Sequence, residues 1–522
     1  MDGGDAEKYH PVDTAVFEYG VRVCGMRARS TVFLVVLVAL AGCSVGYSGS
    51  TPTPTDETTP TPAPETATPT PTPSPNQTAT AEPATELPDP ETDVLGWENG
   101  YWANETISVD RSDGLSEAER ERIVARAMAR VEVVREMEFN STVPVELMSR
   151  EEYQDSEYSG GGDRSAAFTT FDNAKFEALF LVGEDRDSLA VQQSNRGSSV
   201  AGFYTPRNDR IVVIYGGETA DLPGERTLGH ELTHALQDQQ FDLTTITASS
   251  REQSNAQNGL IEGDASLTEE RYMERCGEEW ECLSAPQSGS GSGSSDIHLG
   301  IYIMDFFPYD DGPAFVEFYQ ERGGWDRINQ MYDDLPASTE QVAIPEKYAV
   351  DPDPPTDVTL RDQNTNGWER VDPPERTPTA RLGQSAMTAM FGYTLYADTG
   401  NQPVIQPQEL LNINSEGNIV QPPFKYTAPP VRGWDGDRMH IYQKDNETAY
   451  VWKSVWDSRQ DAQEFADAYA DLLAYWGGSQ QSGGLYTIDS GAYADAFRVT
   501  VEGDTVTIVN APTTGDLPDV HE

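Results

Sequence analysis

The stretch His230-Glu231-Leu232-Thr233-His234 decides how the central part of the chain is interpreted. The surrounding residues 224–240 carry apolar side chains at helical spacing, which predicts a helix. Positions four residues apart share one face of a helix, so both imidazoles can reach a single cation. Glu231 then lies beside that cation and can take a proton from bound water. The pattern predicts a zinc site with His230 and His234 as ligands and Glu231 as the general base.

A catalytic zinc ion needs a third protein ligand and one open position. Glu262 lies 28 positions after His234, in a segment (residues 254–275) that is also predicted to be helical. If the two helices pack antiparallel, Glu262 faces the histidines and completes the ligand set. Asp264 and Glu269 are the other candidates, and an ordinary surface carboxylate is the alternative role for Glu262. The alternative for the whole motif is a surface helix with two solvated histidines.

The charge of the chain argues against one class of partner. The 522 residues include 87 acidic and 35 basic residues, and the net charge is −52. Nucleic acids and anionic membrane surfaces need a basic face, so we expect neither as a direct partner. The acidic, lysine-poor composition resembles that of proteins from salt-loving archaea, where molar salt screens the repulsion.

The first residues of the chain indicate export. Residues 26–42 combine early arginines, a short apolar run and small residues at the end, as a lipoprotein signal peptide does. The apolar run is too short for a comfortable membrane span, and a short buried helix is the alternative. Cys43 follows directly and is predicted to carry a lipid that anchors the protein to the extracellular face of the cell membrane. Residues 1–25 are interpreted as a mis-annotated leader before a true start at Met26.

Composition divides the rest of the chain into four parts. Residues 43–92 are rich in Thr and Pro and poor in large apolar side chains, which predicts a disordered stalk. Residues 93–350 are predicted to form a mainly helical domain with a small antiparallel sheet, and a Pro- and Asp-rich connection follows at 351–380. Residues 381–522 are predicted to form a small C-terminal α/β module, so the fold class is α+β. Further elements are predicted as helices at 173–182, 297–306 and 313–322 and as strands at 201–205 and 210–215.

Two of the four cysteines lie close together in the predicted helical domain. Cys276 and Cys282 are separated by five residues. In an exported protein the simplest interpretation is a small disulfide loop. We do not expect this pair alone to bind zinc, because two thiolates at this spacing lack partner ligands.

The histidine stretch and the residues after it resemble a known group of enzymes. Residues 230–238 are similar to the active-site helix of thermolysin-type peptidases. Together with the later Glu262-Gly263-Asp264-Ala265, they resemble the gluzincins, in which two helical histidines and a glutamate from a following helix hold zinc. The resemblance implies a zincin-like metallopeptidase domain with His230, His234 and Glu262 as ligands and Glu231 as the base. It covers about forty residues.

A second resemblance covers most of the folded chain. Five short motifs resemble those of haloarchaeal surface lipoproteins of an uncharacterised family related to zinc peptidases. They are Pro308 to Val316, Gly323-Gly324-Trp325, Ser338 to Gln341, Pro345 to Tyr348 and Gly433 to Arg438. The chain departs from that family at Ile344, where relatives often carry a histidine.

The expected reaction is hydrolysis of a peptide bond, and it needs further groups. An extended peptide or protein substrate is predicted to pair with residues 210–215 as an added strand. His298, Tyr309 and Tyr272 are candidates to stabilise the oxyanion, and a core or surface role is the alternative for each. Asp238, one turn after His234, is predicted to orient a ligand, with a solvated acid as the alternative.

Two rival functions remain open from the sequence. The first is a catalytically inactive surface lipoprotein that retains the zincin fold for a structural or binding role. Ile344 favours this interpretation. The second is a secreted binding or adhesion module in which the histidine motif is accidental.

Overall fold

The computed structural model describes residues 14–17, 88–110, 114–156, 158, 164–215, 222–284 and 297–522, with backbone only at 14–17 and 198–199. The predicted signal peptide, the lipid on Cys43 and the stalk up to residue 87 lie outside the described residues, as does the leader except for 14–17. None of the helices described is long and apolar enough to cross a membrane.

Helices dominate the central part of the chain. They are α1 (Glu117–Arg135), α2 (Arg150–Asp155), α3 (Ala166–Ala178), α4 (Ser188–Ser199), α5 (Glu225–Phe241), α6 (Arg251–Arg275), α7 (Leu299–Met331), α8 (Thr339–Ala343) and α9 (Glu346–Ala349). Further along the chain lie α10 (Gly383–Tyr393), α11 (Pro407–Leu410), α12 (Arg459–Tyr475) and α13 (Leu517–Val520).

The strands form a small sheet beside these helices, a larger sheet in the C-terminal part and two separate two-stranded pairs. Up to residue 215 they are β1 (Thr14–Phe17), β2 (Trp97–Glu98), β3 (Tyr101–Trp102), β4 (Val145–Ser149), β5 (Val200–Thr205) and β6 (Arg210–Tyr215). The later strands are β7 (Glu369–Arg370), β8 (Leu411–Ile413), β9 (Ile419–Phe424), β10 (Trp434–Lys444), β11 (Glu447–Trp456), β12 (Ser479–Gln480), β13 (Leu485–Thr487), β14 (Ala496–Glu502) and β15 (Thr505–Ala511). The α+β class is confirmed.

The small sheet has the order β1-β5-β6-β4 and is mixed. The β5–β6 and β1–β5 pairs are antiparallel, whereas β4 runs parallel to β6. The prediction of a purely antiparallel sheet is therefore wrong, because the chain returns from β4 to β6 through helices rather than through a tight turn. Strand β6 lies inside the sheet, with a partner on each side.

The C-terminal part forms a seven-stranded antiparallel sheet with the order β12-β13-β14-β15-β11-β10-β7, and helices accompany it. The predicted hairpin at its end is present as β14 and β15, which pair from Ala496 with Ala511 to Glu502 with Thr505. Strand β7 comes from the segment predicted as a connection and pairs with β10 at Tyr442 and Gln443. The sheet thus begins before residue 381.

Three predicted helices have wrong boundaries for identifiable reasons. Helix α3 starts at Ala166, because Ser165 caps it by accepting a hydrogen bond from the Phe168 amide. It ends at Ala178 rather than at 182, since Phe180 has a φ of 53°. The predicted helices at 297–306 and 313–322 are one continuous run, and α7 kinks only at Gly324. Packing against neighbouring helices outweighs the helix-breaking tendency of the prolines inside α7.

A close contact between α6 and α7 sets the position of α6, the helix that carries Glu262. A Cβ atom built on Gly263 would lie 2.3 Å from the carbonyl oxygen of Gly312, and one built on Gly312 would lie 2.6 Å from the carbonyl oxygen of Gly259. The two backbones therefore approach closely here, and a side chain on Gly263 or Gly312 would force the helices apart. Gly263 directly follows Glu262, so this contact also fixes the depth at which that carboxylate lies.

We expect Gly263→Ala to lower the free energy of unfolding by about 1–3 kcal/mol through overpacking at this contact. Gly197→Ala in α4 is the matched control, because its Cβ would meet no atom closer than 3.6 Å. The control should be neutral or slightly stabilising, since alanine favours a helix over glycine. Chemical denaturation of the full chain in molar salt measures both. Equal stability of the two variants would contradict the close contact.

Candidate metal centre

Helix α5 carries the histidine motif into the interior of the protein. Gly224 precedes the helix in an extended conformation, and Asp242 ends it with a left-handed φ of 51°. Leu228, Leu232, Ala235 and Leu236 are fully or almost fully buried, which drives the helix into the core. The opposite face, with both histidines, is buried as well. The surface-helix alternative is therefore wrong.

His230, His234 and Glu262 meet at one point. The Oε2 atom of Glu262 lies 3.2 Å from His230 Nε2 and 3.3 Å from His234 Nε2. Zinc–ligand bonds of about 2.0–2.1 Å at tetrahedral angles place neighbouring ligand atoms roughly 3.3–3.4 Å apart. The structure thus places the Glu262 carboxylate at the separation from each imidazole that a zinc ion requires, and the ligand atoms of all three residues lie within 4.8 Å of one another.

Polar atoms without partners also point into this site. Among the described residues, His234 Nε2 and both carboxylate oxygens of Glu231 are buried without a hydrogen bond. Buried polar groups in proteins almost always have a partner, because the uncompensated loss of water is costly. A cation at the centre of the three residues would give His234 Nε2 a closer partner than the Glu262 oxygen 3.3 Å away. The residues present therefore fit a zinc ion.

Without a cation, the ligands neutralise one another. Burial alone would lower the pKa of His230, but the hydrogen bonds and charges of Glu262 and Glu269 raise it to about 10. Burial alone would raise the pKa of Glu262, and the two imidazoles lower it to about 2. A proton on His230 would be the counter-charge of Glu262, and a zinc ion bound there would displace it.

Glu231 has the properties of a general base. Burial raises its pKa to about 7, so at neutral pH it exchanges a proton readily. A Cβ atom built on Gly202 of β5 would lie 3.9 Å from Glu231 Oε1. The Glu231 carboxylate therefore lies directly beneath a strand position that has no side chain.

The other ring nitrogens of the two histidines are fixed by side chains that the sequence did not assign to this role. His230 Nδ1 lies 3.2 Å from Glu269 Oε2, and Glu269 also pairs with Arg226. His234 Nδ1 lies 2.9 Å from Gln237 Oε1, and Gln237 donates to the carbonyl of Ile261 at 3.0 Å. Such outer partners orient metal-binding imidazoles. Gln237 lies three positions after His234 on the same helix, and this spacing was the signal that could have identified it.

Two predicted site residues lie elsewhere. Asp238 accepts hydrogen bonds from Tyr204 Oη at 2.7 Å and from the Leu243 amide at 2.9 Å, so it ties β5 to the end of α5 rather than orienting an imidazole. Asp264 pairs with Arg135 on α1. Asp264 lies two residues after Glu262, so the rotation of the helix turns it away from the ligand cluster. Asp238 lies one turn after His234, but its hydrogen bonds to Tyr204 and Leu243 engage it elsewhere.

Of the three oxyanion candidates, the structure brings only Tyr309 to the site. Its hydroxyl donates to Glu262 Oε1 at 3.0 Å. His298 caps α7 by accepting from the Ile301 amide, and its ring packs against Tyr393. Tyr272 donates its hydroxyl to Glu225 at the amino end of α5. His298 and Tyr272 therefore have structural roles.

The strand that was predicted to pair with the substrate has no free edge. Residues 210–215 form β6, whose two edges are occupied by β5 and β4. Strand β5 is the one that passes over Glu231, and its outer edge pairs with β1, where Val16 lies opposite Gly202. The edge of β5 is thus able to accept an extended segment across the site.

Comparison with known proteins gives information about the C-terminal part. A family model described as a domain of unknown function, DUF8575, matches residues 369–521. This match starts at β7 and ends in the residue after α13, so it covers the seven-stranded sheet and none of the ligands. No curated protein and no solved structure matches the chain.

Glu269→Ala should weaken zinc binding about 10–100-fold, because His230 loses the carboxylate that orients it. Asp238→Ala is the control. It removes a carboxylate of the same helix pair that touches neither imidazole, so the zinc affinity should stay within about twofold. Competition with a chromophoric chelator measures both affinities. A larger loss in the Asp238 variant would show that the outer partners are assigned wrongly.

Proposed function

We propose that this protein is an exported, membrane-anchored zinc-dependent metallopeptidase of the gluzincin type. The observation that carries the proposal is the buried cluster of His230, His234 and Glu262 beside the unpartnered carboxylate of Glu231. The likeness of residues 230–238 and 262–265 to gluzincins supports a zincin-like domain. The likeness to haloarchaeal surface lipoproteins supports the cell-surface location.

A bound Zn²⁺ would lower the pKa of a water molecule and polarise a carbonyl group of the substrate. The protein's own residues perform the proton transfers. Glu231 accepts the proton of the attacking water and delivers it to the departing amine. In the metal-free chain, burial raises the pKa of Glu231 to about 7, above the usual range of a glutamate. Burial of the site excludes bulk water that would compete for these protons.

Tyr309 is the residue of this site that we assign to the developing oxyanion. Its phenol lies next to Glu262, so it reaches the region where a substrate carbonyl would meet the cation. Burial and the charge of Glu262 raise the pKa of Tyr309 well above its usual range. The phenol therefore keeps its proton and acts as a hydrogen-bond donor.

The substrate class that this geometry favours is an extended, unstructured peptide segment. Strand β5 offers backbone groups along its outer edge, and Gly202 lets a substrate backbone approach Glu231. The antiparallel pairing of β1 with β5 has the form expected for an added strand. Because β1 belongs to the segment interpreted as a leader, the mature protein would present this edge to substrate.

The lipid on Cys43 and the stalk of residues 43–92 would place the enzyme on the extracellular face of the membrane. Cys276 and Cys282 are joined in a disulfide in the structure, which suits an oxidising compartment. The acidic composition is compatible with high salt outside the cell.

One observation favours the second candidate function, an inactive zincin-fold lipoprotein. Ile344 occupies the position of a histidine that relatives often carry, and it caps α8. Helix α8 packs on α6, where a Cβ atom built on Gly259 would lie 2.8 Å from Val342. Loss of a catalytic histidine there would leave the zinc ligands intact and remove turnover.

Glu231→Gln should retain one zinc per chain and lose hydrolysis about 10²–10⁴-fold, because the amide cannot accept the proton. Glu270→Gln, the same change on an exposed position of α6, is the control and should cleave like the parent protein. Zinc content and digestion of a peptide library in molar salt are measured for all three proteins. Equal cleavage by the Glu231 variant would refute the mechanism. A parent protein that binds zinc and cleaves nothing would support the inactive lipoprotein.

A further inference from the structure

The disulfide loop joins the end of α6 to the start of α5, the two helices that carry the candidate zinc ligands. Cys276 directly follows the last residue of α6, and its sulfur bonds to Cys282. Inside the loop, Gly277 donates to the carbonyl of Trp280 at 2.8 Å, and the Trp280 amide donates to Arg275 at 2.9 Å. The loop therefore folds back on the end of α6.

The residue after the disulfide holds the first residue of α5. The Glu225 amide donates to the Leu283 carbonyl at 3.0 Å, and the Leu283 amide donates to Glu225 Oε1 at 3.1 Å. Glu225 lies five positions before His230. This reciprocal pair connects the Cys276–Cys282 loop to the amino end of the ligand helix.

Aromatic packing makes a second connection to the same helix. The ring of Trp280 meets Tyr272 edge to face, with centroids 5.1 Å apart. Tyr272 packs against Gly229, where a Cβ atom would lie 3.3 Å from its ring. Gly229 is the residue before His230, so a single aromatic ring separates Trp280 from the backbone next to the ligand.

Buried charges make the arrangement sensitive to such a shift. Glu225 is buried and pairs with Arg126 and Arg130. Arg130 also donates to the carbonyl of Glu281 at 3.3 Å and lies 5.0 Å from the Trp280 ring. Loss of one partner in a buried ion cluster leaves an uncompensated charge. The cluster therefore favours a single arrangement of its residues, and it must rearrange if the loop moves away.

We infer that the Cys276–Cys282 disulfide is a redox-sensitive latch on the metal centre, an inference that rests on the proposed zinc site. A dithiol reductant would supply two electrons and two protons, leave as its own disulfide, and convert the pair to two thiols. The opened loop no longer holds Leu283 against Glu225 of α5 or Trp280 against Tyr272. His230 then loses its fixed position, and zinc leaves more easily.

The test measures the rate at which a chromophoric chelator removes zinc from the full chain. The oxidised protein is compared with the Cys276→Ser/Cys282→Ser variant, which cannot form the disulfide and offers zinc no new thiols. We expect zinc release at least about tenfold faster from the variant, the size of effect typical for lost outer support of a ligand. Wild-type protein reduced with a dithiol, then freed of it by gel filtration, should behave like the variant.

Trp280→Leu keeps the disulfide and removes the ring contact with Tyr272. This variant tests the latch if the serine variant fails to fold. It should also release zinc faster than the parent. Release rates within about twofold of the parent in folded variants would overturn the latch while leaving the zinc site in place. An oxidised parent that binds no zinc would overturn the metal centre, and the latch with it.

Discussion

The arrangement of the central helices depends on one constraint, the burial of the Glu262 carboxylate between two buried imidazoles. A buried charge of this kind is stable only with a partner, and here the partners come from another helix. Helices α5 and α6 must therefore keep a fixed depth and rotation relative to each other. The position of α6 in turn depends on its contact with α7. Glycines at this contact let the two backbones approach, because no side chains keep α6 and α7 apart.

Helix α1 holds both ligand helices through buried ion pairs. Arg126 and Arg130 pair with Glu225 at the start of α5, and Arg135 pairs with Asp264, two residues after Glu262. Such pairs add little net stability, but breaking one is costly because the other charge stays buried. They favour a single register of the two helices. Ion pairs with α1 thus hold α5 and α6 from outside the candidate metal centre, and the contacts of Glu262 with the two histidines hold them inside it.

The sequence predicted that His230, His234 and Glu262 would come together but not which residues surround them. His230 and His234 follow from helical periodicity, and Glu262 follows from the same reasoning applied to α6. Asp238 was placed wrongly because periodicity shows that two residues share a face, and it does not show which carboxylate reaches an imidazole. The central position of residues 210–215 depends on the parallel pairing of β4 with β6, a contact across more than sixty residues. Pairing over such distances leaves no local signal.

The metal environment of the purified full chain is the most direct test of this account, and zinc K-edge X-ray absorption measures it. We expect one zinc per chain, bound only by nitrogen and oxygen at about 2.0–2.1 Å, with the signature of two imidazoles. A sulfur shell at about 2.3 Å would show that the metal is held by cysteines instead, and the absence of stoichiometric zinc would contradict the site altogether.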